Sequence, residues 1–158
     1  MRAGIGYDVH RLVKDRRLFL AGVEVPYAKG LLGHSDGDIV MHSIADAILG
    51  ALALGDIGTH FPNTDPQYKD ISSGELVKTV VALAAEKGFI VNNVDTMILA
   101  EDPKLYPFRE RMVEALAKVL SVNKDRVSVK ATTGEGVGSI GKGEAMAAYA
   151  VVTLEEKR

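Results

Sequence analysis

The chain has 158 residues, no cysteine and a net charge of −2, with charges of both signs mixed throughout. The missing cysteines exclude disulfide scaffolds, thiol nucleophiles, Cys-ligated zinc and iron–sulfur clusters, and the charge balance leaves no basic footprint for nucleic acid. This length suits one compact domain over 1–158, burying about 68–70% of its unfolded surface.

The first residues, MRAGIGYDVHR, lack a signal-peptide apolar core. The longest apolar runs, 44–54 and 145–154, are too short to span a bilayer, so a soluble cytoplasmic protein without a membrane partner is expected. Residues 2–10 read as a strand, whose period of two puts Asp8 and His10 on one face and Val9 on the other. Leu18–Leu20 and Val23–Val25 flank Ala21-Gly22 as a hairpin. A Gly-punctuated loop, 26–34, then leads into HSDGDIVMHSIADAILGALALGD at 34–56. There Ser35 is expected as N-cap, with Asp36 and Asp38 in the first turn, where the helix dipole favours negative charge. Ile39, Val40, Ile44, Ala47, Ile48, Ala51 and Leu52 make the apolar face. Asp38, His42 and Asp46, four residues apart, form a polar ridge.

Residues 59–71, with two prolines, read as an exposed loop of functional length. Ser72 or Ser73 caps a helix whose buried stripe is Leu76, Val77, Val80, Val81 and Ala84, and Gly88 stops it. A strand over 94–100 runs into the Pro-rich turn EDPKLYP. Pro107 begins a helix to about Leu120, with Met112, Leu116, Val119 and Leu120 inward. A strand over 126–132, a loop at 133–143 with five glycines and a last strand over 145–154 complete the chain. The apolar last strand implies burial on both faces or against another subunit. The interspersed elements, with a hairpin at one end and an antiparallel pair at the other, predict an α+β fold, its helices over one face of a mixed sheet.

Three groups of residues carry chemistry. With no cysteine, a metal must be held by carboxylates and the four histidines, His10, His34, His42 and His60. Asp8, His10 and His42 offer two imidazoles and a carboxylate, which leaves a tetrahedral metal one open position. Asp46, one turn beyond His42, is placed to orient that ring. The plain alternative is three unrelated polar residues. The glycine-rich loop, with Lys130, Thr132, Thr133 and Lys142, suits an anion nest. Glu135 is repulsive inside such a nest unless a hard divalent ion lies between it and phosphate oxygens. Lys104, at a strand-end turn, suits a phosphate contact, though exposed lysines are common. Two metal sites and an anion nest suit a diphosphate, and no activated nucleophile is present. A phosphoryl transfer whose attacking group is already an anionic phosphate needs none.

The segments GYDVHR at 6–11, HSDGD…H…AD at 34–46, LGDIG at 54–58, FPNTDP at 61–66, PK at 103–104 and KATTGE at 130–135 span nearly the whole chain. In order and spacing they resemble the 2-C-methyl-D-erythritol 2,4-cyclodiphosphate synthase family. The resemblance implies a homotrimer with active sites between subunits. It implies cyclisation of 4-diphosphocytidyl-2-C-methyl-D-erythritol 2-phosphate with release of CMP, in non-mevalonate isoprenoid biosynthesis. Asp8, His10 and His42 match zinc ligands, and Glu135 matches a magnesium or manganese site between the α- and β-phosphates. His34 and Thr133 match residues that hold the phosphates in the transition state. Ser35, Asp56, Ile57 and Gly58 match the methylerythritol pocket, next to Phe61 and Asp65 of the FPNTDP segment. Ala100, Lys104, Leu105, Tyr106, Thr132 and Thr133 match the cytidine diphosphate side, with Lys142 beyond them. Asn63 stands where the family commonly has Asp, and Ser139 and Lys142 stand where Phe and Arg are frequent. Lys142 keeps the charge without bidentate geometry.

Two other readings use the same residues. A non-haem iron oxygenase also takes two histidines and one carboxylate, although such sites usually sit on all-β folds, and His42 lies on a helical segment. A non-catalytic trimeric small-molecule-binding protein gives no reason for Asp8, His10, His42 and Glu135 to coexist.

Overall fold

In the computed structural model, which describes residues 1–157, strand β1 (Arg2–Lys14) runs unbroken through Asp8 and His10. The hairpin strands β2 (Leu18–Leu20) and β3 (Val23–Val25) follow, then a short β4 (Lys29–Leu31) inside the expected loop. Helix α1 (Ile39–Ala51) carries His42, and the short α2 (Ile57–His60) opens the segment read from sequence as irregular. That segment also contains a 3-10 turn at Pro66–Tyr68. Helix α3 (Ser73–Glu86) leads to β5 (Phe89–Leu99), α4 (Arg109–Leu120), β6 (Val127–Thr132), the short α5 (Gly138–Gly141) and β7 (Ala145–Glu156).

Among the described residues, five strands form one mixed sheet in the order β4-β1-β7-β5-β6, and β2-β3 stand apart as a hairpin. Among the described residues, only β5 and β6 pair in parallel. The antiparallel pair at the C-terminal end is therefore β5 with β7, because β5 separates β7 from β6. β5 starts five residues before the expected strand and accommodates an extra residue at Asn92, where the register against β7 shifts. The expected strand begins just beyond that bulge.

The helices lie over one face. Gly6, Met146, Ala148, Ala150, Val152, Val94, Ile98 and Val129 point inward along their strands, and α1, α3 and α4 close over them. The outward residues Ile5, Tyr7, Val9, Tyr149 and Val151 are exposed. Tyr7 and Tyr149, paired across β1 and β7, pack with ring centroids 4.8 Å apart and planes tilted by 43°. The last strand is thus buried on its inner face, and on its outer face Ala145 and Ala147 are covered while Tyr149 and Val151 are exposed.

α1 begins later than expected. Its N-cap is Asp38, not Ser35, and no acidic residue lies in its first turn. Asp38 is fully buried, so it does not extend the ridge of His42 and Asp46. Its Oδ1 accepts from the backbone N–H groups of Val40 and Met41 at 3.1 Å and of Ala21 at 2.9 Å. Oδ2 accepts from Gly22 N–H at 2.7 Å, so one carboxyl ties the β2–β3 turn to the start of α1. Burial pushes the Asp38 carboxyl up to about 6, against the pull of these N–H groups.

Gly4 and Gly6 let α1 lie directly on β1. A Cβ on Gly4 would come within 1.9 Å of the Ala47 carbonyl oxygen, and one on Gly6 within 1.8 Å of the Ser43 oxygen. Both obstacles are helix backbone, which cannot rotate aside. Gly6→Ala should therefore cost at least the about 1–3 kcal/mol typical of overpacking and separate α1 from β1. Gly50→Ala is the control, since its Cβ would meet nothing nearer than 3.9 Å and helix propensity favours Ala. Denaturant unfolding of both variants checks this; equal stabilities would contradict the close approach.

Candidate active site

The period of two along β1 turns Asp8 and His10 toward the helix layer, and the close packing of α1 brings His42 to meet them. Asp8 Oδ2 lies 2.9 Å from His42 Nδ1 and 3.1 Å from His10 Nε2. One ligand atom from each residue falls within 4.8 Å of the others. The remaining ring nitrogens face oxygens: His10 Nδ1 meets the Leu32 carbonyl, and His42 Nε2 meets Ser73 Oγ at 2.9 Å and Ser35 Oγ at 3.2 Å. A carbonyl can only accept, so His10 carries a proton on Nδ1 and its Nε2 lone pair is left for the centre. A carboxylate oxygen and imidazole lone pairs converging this closely need protons or a cation between them. The donor set fits a divalent metal with one position open.

The local chain explains the convergence. A Cβ on Gly33 would sit 3.0 Å from His10 Cε1, so a side chain there would press on the ring. Arg16 Nη2 donates to the Gly33 and Ser35 carbonyls, at 3.1 and 2.6 Å, and pins that loop. Burial pushes the Asp8 carboxyl up, but hydrogen bonds and charge from His10 and His42 outweigh it and hold the group below the usual range. The hydrogen bond to Asp8 raises His10 above its ordinary value, against burial. Asp46 is not the orienting partner of His42. Its Oδ1 accepts from Ile57 N–H at 2.8 Å, fastening α2 to α1.

A cleft of about 690 Å³ opens beside the triad. His34, Ser35, Ile57, Gly58, Phe61 and Asp65 line it together with Asp8, His10 and His42, as does Asn63. Asp56 caps α2 instead, accepting from Thr59 N–H and Oγ1 at 2.9 Å each, and these bonds hold its carboxyl low. Phe61 packs edge-on against Tyr68, ring centroids 5.1 Å apart, so Tyr68 shapes the wall although the sequence reading passed over it. Ser73 and Asp36, which back His42, were also missed. Ser73 figured only as an alternative helix cap, and that role belongs to Ser72.

The other expected residues do not join this cleft within one chain. Leu105 and Tyr106 line a separate cleft of about 150 Å³ with Arg109 and Ala131. Lys104, Thr132, Thr133 and Glu135 are exposed, and Ala100 N–H donates to the Thr132 carbonyl at 3.0 Å. Glu135 has φ +52, and its N–H donates to Thr133 Oγ1 at 3.2 Å. Lys130 pairs with Asp95 at 2.6 Å and so does not serve the glycine-rich loop. Ser139 and Lys142 line a third cleft with Arg11 and Lys29. Asp8, Ala148, Ile98 and Ala131 share one level across β1, β7, β5 and β6. Three strand spacings, about 14 Å, therefore separate the triad from the strand that ends in Thr132.

The fold and the site define an α+β enzyme built around an Asp–His–His centre. The family model described as YgbB matches residues 1–155. The 2-C-methyl-D-erythritol 2,4-cyclodiphosphate synthase of Geobacter metallireducens is 58% identical over 157 residues, 99% of this chain and 100% of that enzyme. Its counterpart in Alkaliphilus metalliredigens is 53% identical over 154 residues, 98% and 97% of the two chains. A solved structure of a synthase of this name, in a CDP-bound form, matches with TM-score 0.91 at 36% identity and covers 98% of this chain and 100% of its own. The CDP complex of IspF from Plasmodium falciparum gives TM-score 0.87 at 35% identity, over 99% and 97%. The chain belongs to the YgbB family, with the 2-C-methyl-D-erythritol 2,4-cyclodiphosphate synthases.

Metal affinity should depend on pH with a defined sign. Ligation needs the His10 Nε2 lone pair, and Asp8 holds a proton there below the raised His10 value. Affinity for zinc should be full above that value and fall as pH drops through it, about tenfold per pH unit for each proton displaced. Zinc titrations of the metal-free protein between about pH 6 and about pH 8 check this; an unchanged affinity would show that no imidazole proton is displaced.

Proposed function

We propose that the chain converts 4-diphosphocytidyl-2-C-methyl-D-erythritol 2-phosphate into 2-C-methyl-D-erythritol 2,4-cyclodiphosphate with release of CMP. It works as a homotrimer of single-domain subunits in the cytoplasm. The 2-phosphate oxygen attacks the β-phosphorus, and the bond from that phosphorus to the CMP oxygen breaks. The observation that carries this reading is the Asp8–His10–His42 triad opening onto a cleft lined by His34, Ser35 and Phe61, in a chain 58% identical to a named synthase.

Zinc at Asp8, His10 and His42, with magnesium or manganese at Glu135, would supply positive charge for the β-phosphate and for the bridge to the α-phosphate. The chain's own groups do the positioning. The attacking phosphate is already anionic, so no side chain need remove a proton. His34, exposed in the cleft, and Thr133 donate to phosphate oxygens and favour the in-line arrangement. Ser35 and the Asp56-Ile57-Gly58 turn hold the methylerythritol part, with Phe61 and Asp65 at its flank. Ala100, Lys104, Leu105, Tyr106, Thr132 and Thr133 hold the cytidine diphosphate, and Glu135 takes the second cation.

The distance across the sheet supports a site shared between subunits, in which one supplies the triad and its neighbour the nucleotide side. The exposed apolar face of Ile5, Tyr7, Val9, Tyr149 and Val151 supports the assembly, because a patch of this kind marks an interaction surface.

CMP should appear when the purified protein meets the substrate with zinc and magnesium, and its absence would end this reading. His42→Ala should abolish the metal and nearly all turnover while circular dichroism stays unchanged; a variant with full zinc and a near-normal rate would remove His42 from the ligand set.

Mixed trimers test the shared site. His42→Ala and Thr133→Ala homotrimers should each be inactive. Any trimer holding both variants has at least one boundary where an intact triad faces an intact nucleotide side. Activity per intact site should return toward wild type. Verified heterotrimers as inactive as their parents would place the whole site within one subunit.

A further inference from the structure

A hydroxyl and a carboxylate stand behind His42, and the proposed reaction uses neither. Ser73, the first residue of α3, is fully buried, and its Oγ lies 2.9 Å from His42 Nε2. The same Oγ donates to Asp36 Oδ1. Asp36 also accepts the Ser73 N–H on Oδ2 and the Asp38 N–H on Oδ1, each at 3.1 Å. A carboxylate only accepts, so the single Ser73 hydroxyl proton is committed to Asp36. What Ser73 presents to the imidazole is a lone pair, and His42 Nε2 must supply the proton. A neutral ring with its proton on Nε2 has its lone pair on Nδ1, the nitrogen 2.9 Å from Asp8 Oδ2. Ser35 Oγ, at 3.2 Å from Nε2 and 3.4 Å from Ser73 Oγ, makes only a longer second contact.

We infer that Ser73, aligned by Asp36, is a positioning residue that keeps the His42 proton on Nε2 and so keeps Nδ1 free for a divalent cation. The inference rests on the reading of Asp8, His10 and His42 as metal ligands. It names an outer partner that fixes the tautomer and angle of one ligand, the arrangement by which metal-binding histidines are generally oriented. Ser73 opens α3 immediately after the segment holding Asn63, Thr64, Tyr68 and Ile71, which line the cleft. The far end of that wall is thereby tied to a metal ligand.

Two variants separate this role from simple packing. Ser73→Ala removes the acceptor for Nε2–H. Asp36→Asn can turn an amide donor toward Ser73, which would then aim its own proton at Nε2 and favour the wrong tautomer. Zinc affinity by competition with a chelator should fall about 10- to 100-fold in both, while thermal melting of the metal-free proteins matches wild type. Zinc-loaded wild type should show a slowly exchanging His42 Nε2–H resonance by NMR, and Ser73→Ala should lose it. Affinities within twofold of wild type in both variants would overturn the inference. So would affinity losses that simply track a loss of metal-free stability, which would make Ser73 a packing residue. A wild type that binds no divalent ion would instead overturn the ligand reading itself, and the inference with it.

Discussion

The contact on which the site depends is the approach of α1 to β1 with no side chain between them. Elsewhere a helix stands off a sheet by the length of its side chains, and a His on the helix then reaches a strand carboxylate only by chance of rotamer. At Gly4 and Gly6 the helix backbone fills the space where Cβ atoms would be. Two residues further along the same face of β1, Asp8 is then within 2.9 Å of His42. The approach demands that the helix side of the contact also be small or self-satisfied. Ser43, fully buried, returns its hydroxyl to the Val40 carbonyl at 2.9 Å, and Ala47 adds almost no bulk. Glycine in a strand costs conformational entropy, and here the return is a fixed distance between two elements that carry the candidate ligands.

The buried polar groups around that contact are paired with few exceptions. Removing a charge from water is expensive unless its hydrogen bonds are replaced. Asp38 replaces them with four backbone N–H groups and Asp36 with two N–H groups and a hydroxyl, whereas Asp8, facing two imidazole nitrogens, depends on the protons or cation between them. Asp36 and Asp38 are two residues apart yet do different work. Asp38 joins a turn to a helix, whereas Asp36 reaches across to α3 and aligns the residue behind His42. Arg16, through its bonds to the Gly33 and Ser35 carbonyls, fixes the loop whose Leu32 carbonyl sets the His10 tautomer. The triad is therefore held by parts of β1, α1, α3 and the β4–α1 loop at once.

What could be read from sequence follows from how local each feature is. Asp8 and His10 are two apart on a strand, so their common face is dictated by the pleat. The stripe of α3 and the Gly88 stop are likewise local, and both appear in the structure, with Val81 of the stripe only partly buried. The start of α1 was misread because His34-Ser35-Asp36-Gly37-Asp38 holds three acceptable caps. The choice among them is made by the Ala21 and Gly22 N–H groups, from another part of the chain. Asp46 failed in the same way: helical spacing predicted a contact with His42, but the Ile57 N–H competes for the carboxylate and wins. Ser73 was invisible as a partner of His42, because nothing in a Ser-Ser pair at a helix start tells which hydroxyl faces outward to cap and which faces inward to a ring. The strand order was equally non-local, and only the bulge at Asn92 had a trace in the sequence, as two polar residues in an apolar run.

The division of chemistry across the sheet and the bare outer face have one geometric root. A sheet of this order carries its first strand and its parallel edge pair on either side of β7, so groups at the ends of β1 and β6 cannot converge on one small molecule within a chain. Widening a substrate to bridge them would not help, because β7 and β5 fill the interval with small and apolar side chains such as Ala148 and Ile98. The proposed placing of one subunit's edge beside the triad of another would close the distance without altering the fold. The surface that such an arrangement needs is already bare along the outward residues of β1 and β7. The β-branched and aromatic character of Ile5, Tyr7, Val9, Tyr149 and Val151 suits packing against a like surface better than contact with water. β7 thus serves the core with one set of residues, and its Tyr149 and Val151 are left outward for the proposed assembly.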